Sequence, residues 1–298
     1  MLHAMIDVGS NTIRMAVYEI EGSRIEMLMK KKHAVGLASY LADGVMQKEG
    51  IDKAVEVLQG FRSFLQSLRI TEVSAFATAA LRNAKNSAEA VQEIWERSSV
   101  LLHIVSGDEE AELGFAGATH DLPEDTGLLV DIGGASTEIV FFQEKRIVRK
   151  RSFPMGSRCM HKKFSSDVLS SREECRRMRQ EAERILGAAE EFREISYPVL
   201  CGIGGTFKGA MALCQEVLGG CGSLLRVSEM RELLVRFQRR DAFSEEDVAH
   251  LMRAVPERMD TIVPGLVIAD VIAERFNCEE IRYSDSGVRE GYIYSRIL

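Results

Sequence analysis

Apolar residues open the chain in two runs separated by a polar break. In Met5-Ile-Asp-Val-Gly-Ser-Asn-Thr-Ile-Arg-Met-Ala-Val-Tyr-Glu19 the first run stops at Gly9-Ser10, and the second resumes with polar and apolar residues alternating. That pattern predicts a β-hairpin. A third strand is expected near Arg24 to Lys30. Apolar side chains at Ala54, Val57, Leu58, Phe61 and Leu65 recur at helical spacing and predict a helix over Lys53 to Leu68. A strand at Val73 to Ala77, a helix over Asn86 to Trp95 and a strand at Leu102 to Val105 continue an α/β alternation.

The opening pattern returns in Leu128-Leu-Val-Asp-Ile-Gly-Gly-Ala-Ser-Thr-Glu-Ile-Val-Phe-Phe142. Asp7-Val-Gly-Ser aligns with Asp131-Ile-Gly-Gly at an offset of 124 residues (131 − 7), and the seventh residue after each aspartate is charged, Arg14 in the first copy and Glu138 in the second. A repeat of this length implies two α/β domains, 1–122 and 123–298, divided near Pro123 with a cleft between them. Beyond the second hairpin we expect a strand at Arg146 to Phe153, helices over Arg172 to Phe192 and Ser228 to Arg239, and a strand at Pro198 to Cys201. That strand runs into Gly202-Ile-Gly-Gly-Thr206, which opens another helix. A helix over Val263 to Phe276, a strand at Glu280 to Tyr283 and a terminal helix from Gly287, which packs back on the first domain, finish the chain.

With 298 residues and 46% hydrophobic content the chain exceeds what one core usually serves, in keeping with two domains. No basic flank and apolar stretch of signal-peptide type opens it, and no run nears the roughly 20 apolar residues of a spanning helix. A cytoplasmic protein without a membrane partner is expected. The six cysteines have no paired short spacing and read as reduced, mostly buried thiols. A formal charge of −7 argues against nucleic acid as a partner. Its distribution says more: Lys145 to Ser166 holds eight Lys or Arg and no acid, whereas Ser106 to Asp125 holds seven Asp or Glu and no Lys or Arg. Each run alone is a solvated face; together they suit a cationic track leading to an acidic metal site.

Three glycine-bearing turns follow apolar strands and carry hydroxyl residues: Gly9-Ser10-Asn11-Thr12, Gly133-Gly134-Ala135-Ser136-Thr137 and Gly204-Gly205-Thr206. Without intervening side chains their amides can converge on phosphate oxygens, and the third sits at a helix N-terminus, whose dipole favours anions. Asp131 with Glu138 offers oxygen ligands suited to magnesium, which keeps waters and bridges to phosphates; Asp7 reads equally as a turn residue or a further ligand. In Ile104-Val-Ser-Gly-Asp-Glu-Glu-Ala-Glu-Leu113, Ser106 and Glu109 fit a capping box and Glu112 faces solvent. Glu110 remains to orient and deprotonate an attacking water.

These segments resemble the exopolyphosphatase and guanosine pentaphosphate phosphohydrolase family, a branch of the actin-like ATPase superfamily. The resemblance rests on Asp7-Val-Gly-Ser-Asn-Thr, Ala77-Thr-Ala-Ala-Leu-Arg82, Ser106-Gly-Asp-Glu-Glu-Ala111, Asp131-Ile-Gly-Gly-Ala-Ser-Thr-Glu138, Gly202-Ile-Gly-Gly-Thr206, Val263-Pro-Gly265 and Ser284-Asp-Ser-Gly-Val-Arg-Glu-Gly291, in that order. It implies two ribonuclease H-like domains and magnesium-dependent hydrolysis of terminal phosphoanhydrides, with manganese as an alternative metal. Glu110 would be the catalytic base, Asp131 and Glu138 would organise the metal, and Arg82 with the glycine turns and Arg14 would hold phosphate. Inorganic polyphosphate is the implied substrate, guanosine pentaphosphate or tetraphosphate the alternative, and a homodimer the implied assembly. Longer members carry C-terminal helical domains, so functions housed there are expected to be absent. Ala135 stands where the family has a third glycine, and its methyl is expected to narrow the phosphate turn. A non-catalytic polyphosphate- or nucleotide-binding module and a sugar or acetate kinase are the competing readings; the acidic segment around Glu110 speaks against the kinase.

Overall fold

The computed structural model describes residues 1–298 apart from 121, 221, 223 and 239–243. The chain divides into two units, Met1–Glu110 with Ile293–Leu298, and Ala111–Tyr292.

In the first unit β1 (Leu2–Val8), β2 (Thr12–Glu21) and β3 (Arg24–Ala34) form an antiparallel meander. Two short strands, β4 (Leu41–Ala42) and β5 (Val45–Met46), lead into α1 (Lys48–Ser67), followed by β6 (Val73–Ala77), α2 (Ala79–Arg82), α3 (Ser87–Ser98), β7 (His103–Ile104) and α4 (Gly107–Ala118). The sheet order is β3-β2-β1-β6-β7, with β6 parallel to β1 and β7 parallel to β6. Ile6, Val8, Ile13 and Met15 share one sheet face and bury it against Ala54, Leu58 and Phe61 of α1 and Ile94 of α3. The expected helical stripe is thus the packed one.

The second unit repeats the plan. After β8 (Gly127–Ile132), β9 (Thr137–Gln143) and β10 (Arg146–Phe153) come α5 (Ser157–Phe164), α6 (Arg172–Gly187), β11 (Val199–Ile203), α7 (Gly204–Leu218), β12 (Leu224–Arg226) and α8 (Val227–Phe237). Then follow α9 (Glu245–Ala254), α10 (Ile262–Arg275), β13 (Glu280–Tyr283) and α11 (Val288–Arg296). The sheet order is β10-β9-β8-β11-β13-β12, with the first three strands antiparallel and β8, β11 and β13 parallel. Five strands in the same order and direction as the first sheet make both units ribonuclease H-like, as the resemblance implied.

The structure differs from the sequence reading in a few places. The division falls at Glu110/Ala111 rather than at 122/123. Ala111, Phe115, Ala118 and Leu122 cover Leu129, Val140, Phe142 and Cys201 on one face of the second sheet, so most of α4 packs with that unit. The terminal helix α11 begins in the second unit, and its end from Ile293 groups with the first. The Arg172 to Phe192 helix ends at Gly187, with a separate 3-10 turn at Glu190–Phe192. Helices α5 and α9 had not been expected. The expected end of the Ser228 helix at Arg239 lies outside the described residues. Among the described residues no helix is long and apolar enough to cross a membrane. Five cysteines are free thiols, with Cys221 outside the description. Burial pushes the Cys175, Cys201 and Cys278 thiols up to about 12, which makes them poor nucleophiles.

Two helical glycines separate intrinsic propensity from packing. A Cβ on Gly117 of α4 would meet the carbonyl of Gly287 and the amide of Gly291, whereas a Cβ on Gly60 of α1 would meet nothing within 4 Å. Gly60→Ala should therefore stabilise the protein by about 0.5–1 kcal/mol in urea unfolding. Gly117→Ala should destabilise it by about 1–3 kcal/mol despite the same gain in propensity; a stabilised Gly117→Ala would show that the two segments are not in close contact.

Candidate active site

Parallel strands bring their carboxyl ends to one edge of a sheet, where ligands of open α/β folds bind. In the first unit these ends are Val8, Ala77 and Ile104, stitched by Thr78 N–H donating to the Val8 carbonyl at 3.2 Å and Val105 N–H to the Ala77 carbonyl at 3.0 Å. The expected residues emerge from this edge. The first turn closes through Gly9 N–H to the Thr12 carbonyl at 3.1 Å, and Ser10 and Asn11 accept on their carbonyls from Ala38 and Gly36. The side-chain Oδ1 of Asn11 is buried with no hydrogen-bond partner among the described residues.

Asp7 and Arg14 are direct cross-strand partners, with Arg14 Nη1 3.9 Å from Asp7 Oδ2. Arg82 ends the one-turn helix that follows β6, and Glu110 sits in the first turn of α4. Their side chains meet: Arg82 Nη1 donates to Glu110 Oε2 at 2.6 Å and to the Val105 carbonyl at 3.1 Å, both side chains being largely buried. Arg82, which the resemblance gave to phosphate, is thus brought together with Glu110. Ser106 Oγ accepts from Glu109 N–H, but the Glu109 carboxylate turns to Arg296 at 2.8 Å and His103 at 3.3 Å instead of completing the box. Those partners outweigh desolvation and hold Glu109 below the usual carboxylate range. Glu112 is exposed to solvent as expected, and on that surface it pairs with Lys150 at 2.5 Å.

In the second unit the carboxyl ends of β8, β11 and β13 lie side by side. Gly133 N–H donates to the Ser136 carbonyl at 2.9 Å, the bond of the first turn repeated 124 residues on (133 − 9). Asp131 and Glu138 are cross-strand partners in the same register as Asp7 and Arg14, so both carboxylates project from one face. Glu138 is 2% exposed and accepts from Ser152 Oγ at 2.7 Å. Gly204 enters α7 at φ 79°, and a Cβ there would fall on Asp131 Oδ1, so only glycine fits. Thr206 Oγ1 donates to the Ile132 carbonyl at 2.8 Å and ties the third turn to the second.

Among the described residues no three His, Cys, Asp or Glu side chains gather as a metal cage. The Asp131–Glu138 pair instead fits a magnesium ion that keeps waters and shares substrate oxygens, since such an ion takes only one or two carboxylates from the protein. Ala135 is not among the residues with positive φ, so an alanine stands at this turn without backbone strain. Several cations of the expected track are committed elsewhere. Lys145 donates to the Leu122 carbonyl at 2.5 Å, Lys150 pairs with Glu112, Arg151 with Glu191 at 2.8 Å and Lys163 with Glu181 at 2.7 Å.

Sequence reasoning missed three residues at this edge. The guanidinium of Arg258 occupies the space that a Cβ on Gly205 would need, at the start of α7. Arg158, in the first turn of α5, pairs with Asp260 at 3.0 Å. The only local signal was Arg258-Met-Asp260 just ahead of Val263-Pro-Gly265.

Comparison with known proteins bears on the family and the fold. A profile described as the Ppx/GppA phosphatase family matches residues 16–298. A Haemophilus influenzae protein provisionally named an exopolyphosphatase is 31% identical over 295 residues, covering 98% of this chain and 90% of that protein. A crystal structure of an exopolyphosphatase from Cytophaga hutchinsonii superposes with a TM-score of 0.83 at 24% identity, covering 99% of this chain and 97% of that one. An Aquifex aeolicus Ppx/GppA family member gives 0.78 at 24% identity, covering 100% and 97%.

Backbone geometry sets the expectation for two substitutions. Gly204→Ala forces a left-handed residue and a clash with Asp131, and should lower unfolding free energy by about 1–3 kcal/mol. Ala135→Gly should lower it by only about 0.4–1 kcal/mol, through the unfolded chain. Equal losses in urea unfolding would contradict the contrast drawn between these turns.

Proposed function

The chain belongs to the Ppx/GppA phosphatase family, and we propose that it is an exopolyphosphatase, releasing orthophosphate from the end of inorganic polyphosphate with magnesium as cofactor. The observation that carries this reading is the Arg82–Glu110 pair at the edge from which the first glycine turn emerges. Hydrolysis of a phosphoanhydride asks little covalent chemistry of a protein; it needs a positioned water and compensation of charge on the phosphoryl oxygens. Glu110 orients the water and accepts its proton as the water oxygen bonds to the terminal phosphorus. The bridging P–O bond breaks, and its electron pair stays with the shortened chain. Arg82 holds the carboxylate in place and sets its positive charge against the developing negative charge. Amides of a glycine turn supply fixed dipoles for phosphate oxygens, and such preorganised donors are usually the largest single source of catalysis. Asp131 and Glu138, the latter oriented by Ser152, would hold the magnesium, which when bound neutralises phosphate charge.

The alternative of guanosine pentaphosphate or tetraphosphate as substrate requires a ring on which a base can stack. Tyr283 is the observation in its favour. It lies beside Gly202 at the carboxyl end of β13, its hydroxyl donates to Asp285 at 2.6 Å, and Lys208 sits 6.0 Å from its ring centre.

Phosphate release from long polyphosphate and from the two guanosine compounds, with magnesium and with chelator, tests these readings together. Release from polyphosphate that chelator abolishes is expected. Glu110→Gln should lower kcat by about 10²–10⁴-fold. Faster release from the guanosine compounds would move the assignment to the alternative, and tight polyphosphate binding without release would make the protein a binding module.

A further inference from the structure

We propose that Arg296, acting through Glu109, is a positioning residue for Glu110; the proposal rests on the phosphate-hydrolysing reading of the same site. The segment that delivers Glu110 is short, since Ile104 ends β7 and Gly107 begins α4. Val105 N–H donates to the Ala77 carbonyl at 3.0 Å, and Glu110 N–H donates to the Ser106 carbonyl at 2.8 Å. Ser106 Oγ caps the Glu109 amide at 3.1 Å. These bonds fix where the helix starts. The first turn of a helix nevertheless has amides without partners inside the helix, and it frays unless something outside holds it.

Glu109 supplies that hold. In a capping box its carboxylate would fold back onto the Ser106 amide. Here it reaches away instead, and one oxygen, Oε1, meets both Arg296 Nη2 at 2.8 Å and His103 Nε2 at 3.3 Å. His103 lies in β7 opposite Phe76 of β6, so its contact with Glu109 closes strand, turn and helix start on one another across six residues of sequence. Arg296 comes from the last turn of α11, 187 residues further on, and it belongs with Glu109 to the first unit. The Glu109 side chain is only 18% exposed, against 56% for Arg296. A carboxylate sheltered in this way gives up a local bond for one that anchors the turn to a distant segment.

Consecutive residues of a helix point about 100° apart. While Glu109 is drawn to α11, the next side chain turns to Arg82, whose Nη1 donates to Glu110 Oε2 at 2.6 Å. Two arginines on neighbouring carboxylates thus set the rotation of this turn about the helix axis. Without Arg296 the turn is freer to rotate, and Glu109 then competes with Glu110 for Arg82. An ion pair with one exposed partner adds little to overall stability. Its loss should therefore show in the placement of Glu110, to which a general base is sensitive, rather than in unfolding.

Arg296→Ala should lower kcat for phosphate release from polyphosphate about three- to tenfold with KM unchanged. Arg296→Lys, which keeps a cation within reach of Glu109, should recover most of that loss. Placed on Glu110→Gln, Arg296→Ala should lower kcat no further. Hydrogen exchange on the full chain should quicken about three- to tenfold at the first-turn amides of α4 in Arg296→Ala and keep its wild-type rate in α7. A merely structural role would lower the melting temperature and quicken exchange throughout the first sheet. Wild-type kcat or wild-type exchange in Arg296→Ala, a loss confined to KM, no recovery with lysine, or a multiplicative loss on Glu110→Gln would each overturn the proposal. If the wild type releases no phosphate from polyphosphate or the guanosine compounds, the hydrolase assignment fails, and exchange alone then decides whether Arg296 holds the turn.

Discussion

One amide-to-carbonyl bond, from Gly9 to Thr12 in one unit and from Gly133 to Ser136 in the other, fixes the geometry on which the candidate site depends. It closes each turn over two intervening residues. The strands on either side must then pair so that the residue two before the glycine faces the residue five after it. Asp7 therefore meets Arg14, and Asp131 meets Glu138. Because the flanking strands are central in their sheets and their apolar faces are buried, a slip by one residue would turn every core side chain outward. The core thus enforces the register that presents the charges. The same backbone produces a cation opposite one aspartate and an anion opposite the other, which suits one hairpin to phosphate and the other to metal.

Around this constraint the parallel strands do the placing. Each unit aligns three carboxyl ends, and the segments leaving them are short: a single turn carries Arg82, two residues separate β7 from α4, and no residue separates β11 from α7. Short exits leave side chains little freedom, which is the condition for preorganised electrostatics. Gly204 shows how tight the fit is, since its α-carbon is close enough to Asp131 that no side chain could stand between them.

The hairpins, the third turn and the Glu110 position were legible because their signals are local, a strand period broken by glycine or an acid at a fixed offset from a cap, whereas Arg82 came only from the family resemblance. What sequence did not disclose depends on distance. Arg158 and Asp260 are 102 residues apart, and neither stands out among neighbouring charges. Helix α4 was assigned to the first domain because Pro123 reads as a boundary. Yet Ala111, Phe115, Ala118 and Leu122 recur at helical spacing, and that stripe belongs to the second sheet. The basic run from Lys145 was misleading in the opposite sense: its charges are local in sequence, but β10 sends successive side chains to opposite faces, where Glu112 and Glu191 meet them.

Three of the arginines near these edges share one feature: Arg14, Arg82 and Arg158 lie against an acid, Asp7, Glu110 and Asp260 respectively. A site lined with unpaired arginines would repel itself when empty and destabilise the fold that holds it. Pairing removes that repulsion and holds each guanidinium in one orientation, and Arg retains donors beyond those that its carboxylate uses. The acids thus set where these three arginines point.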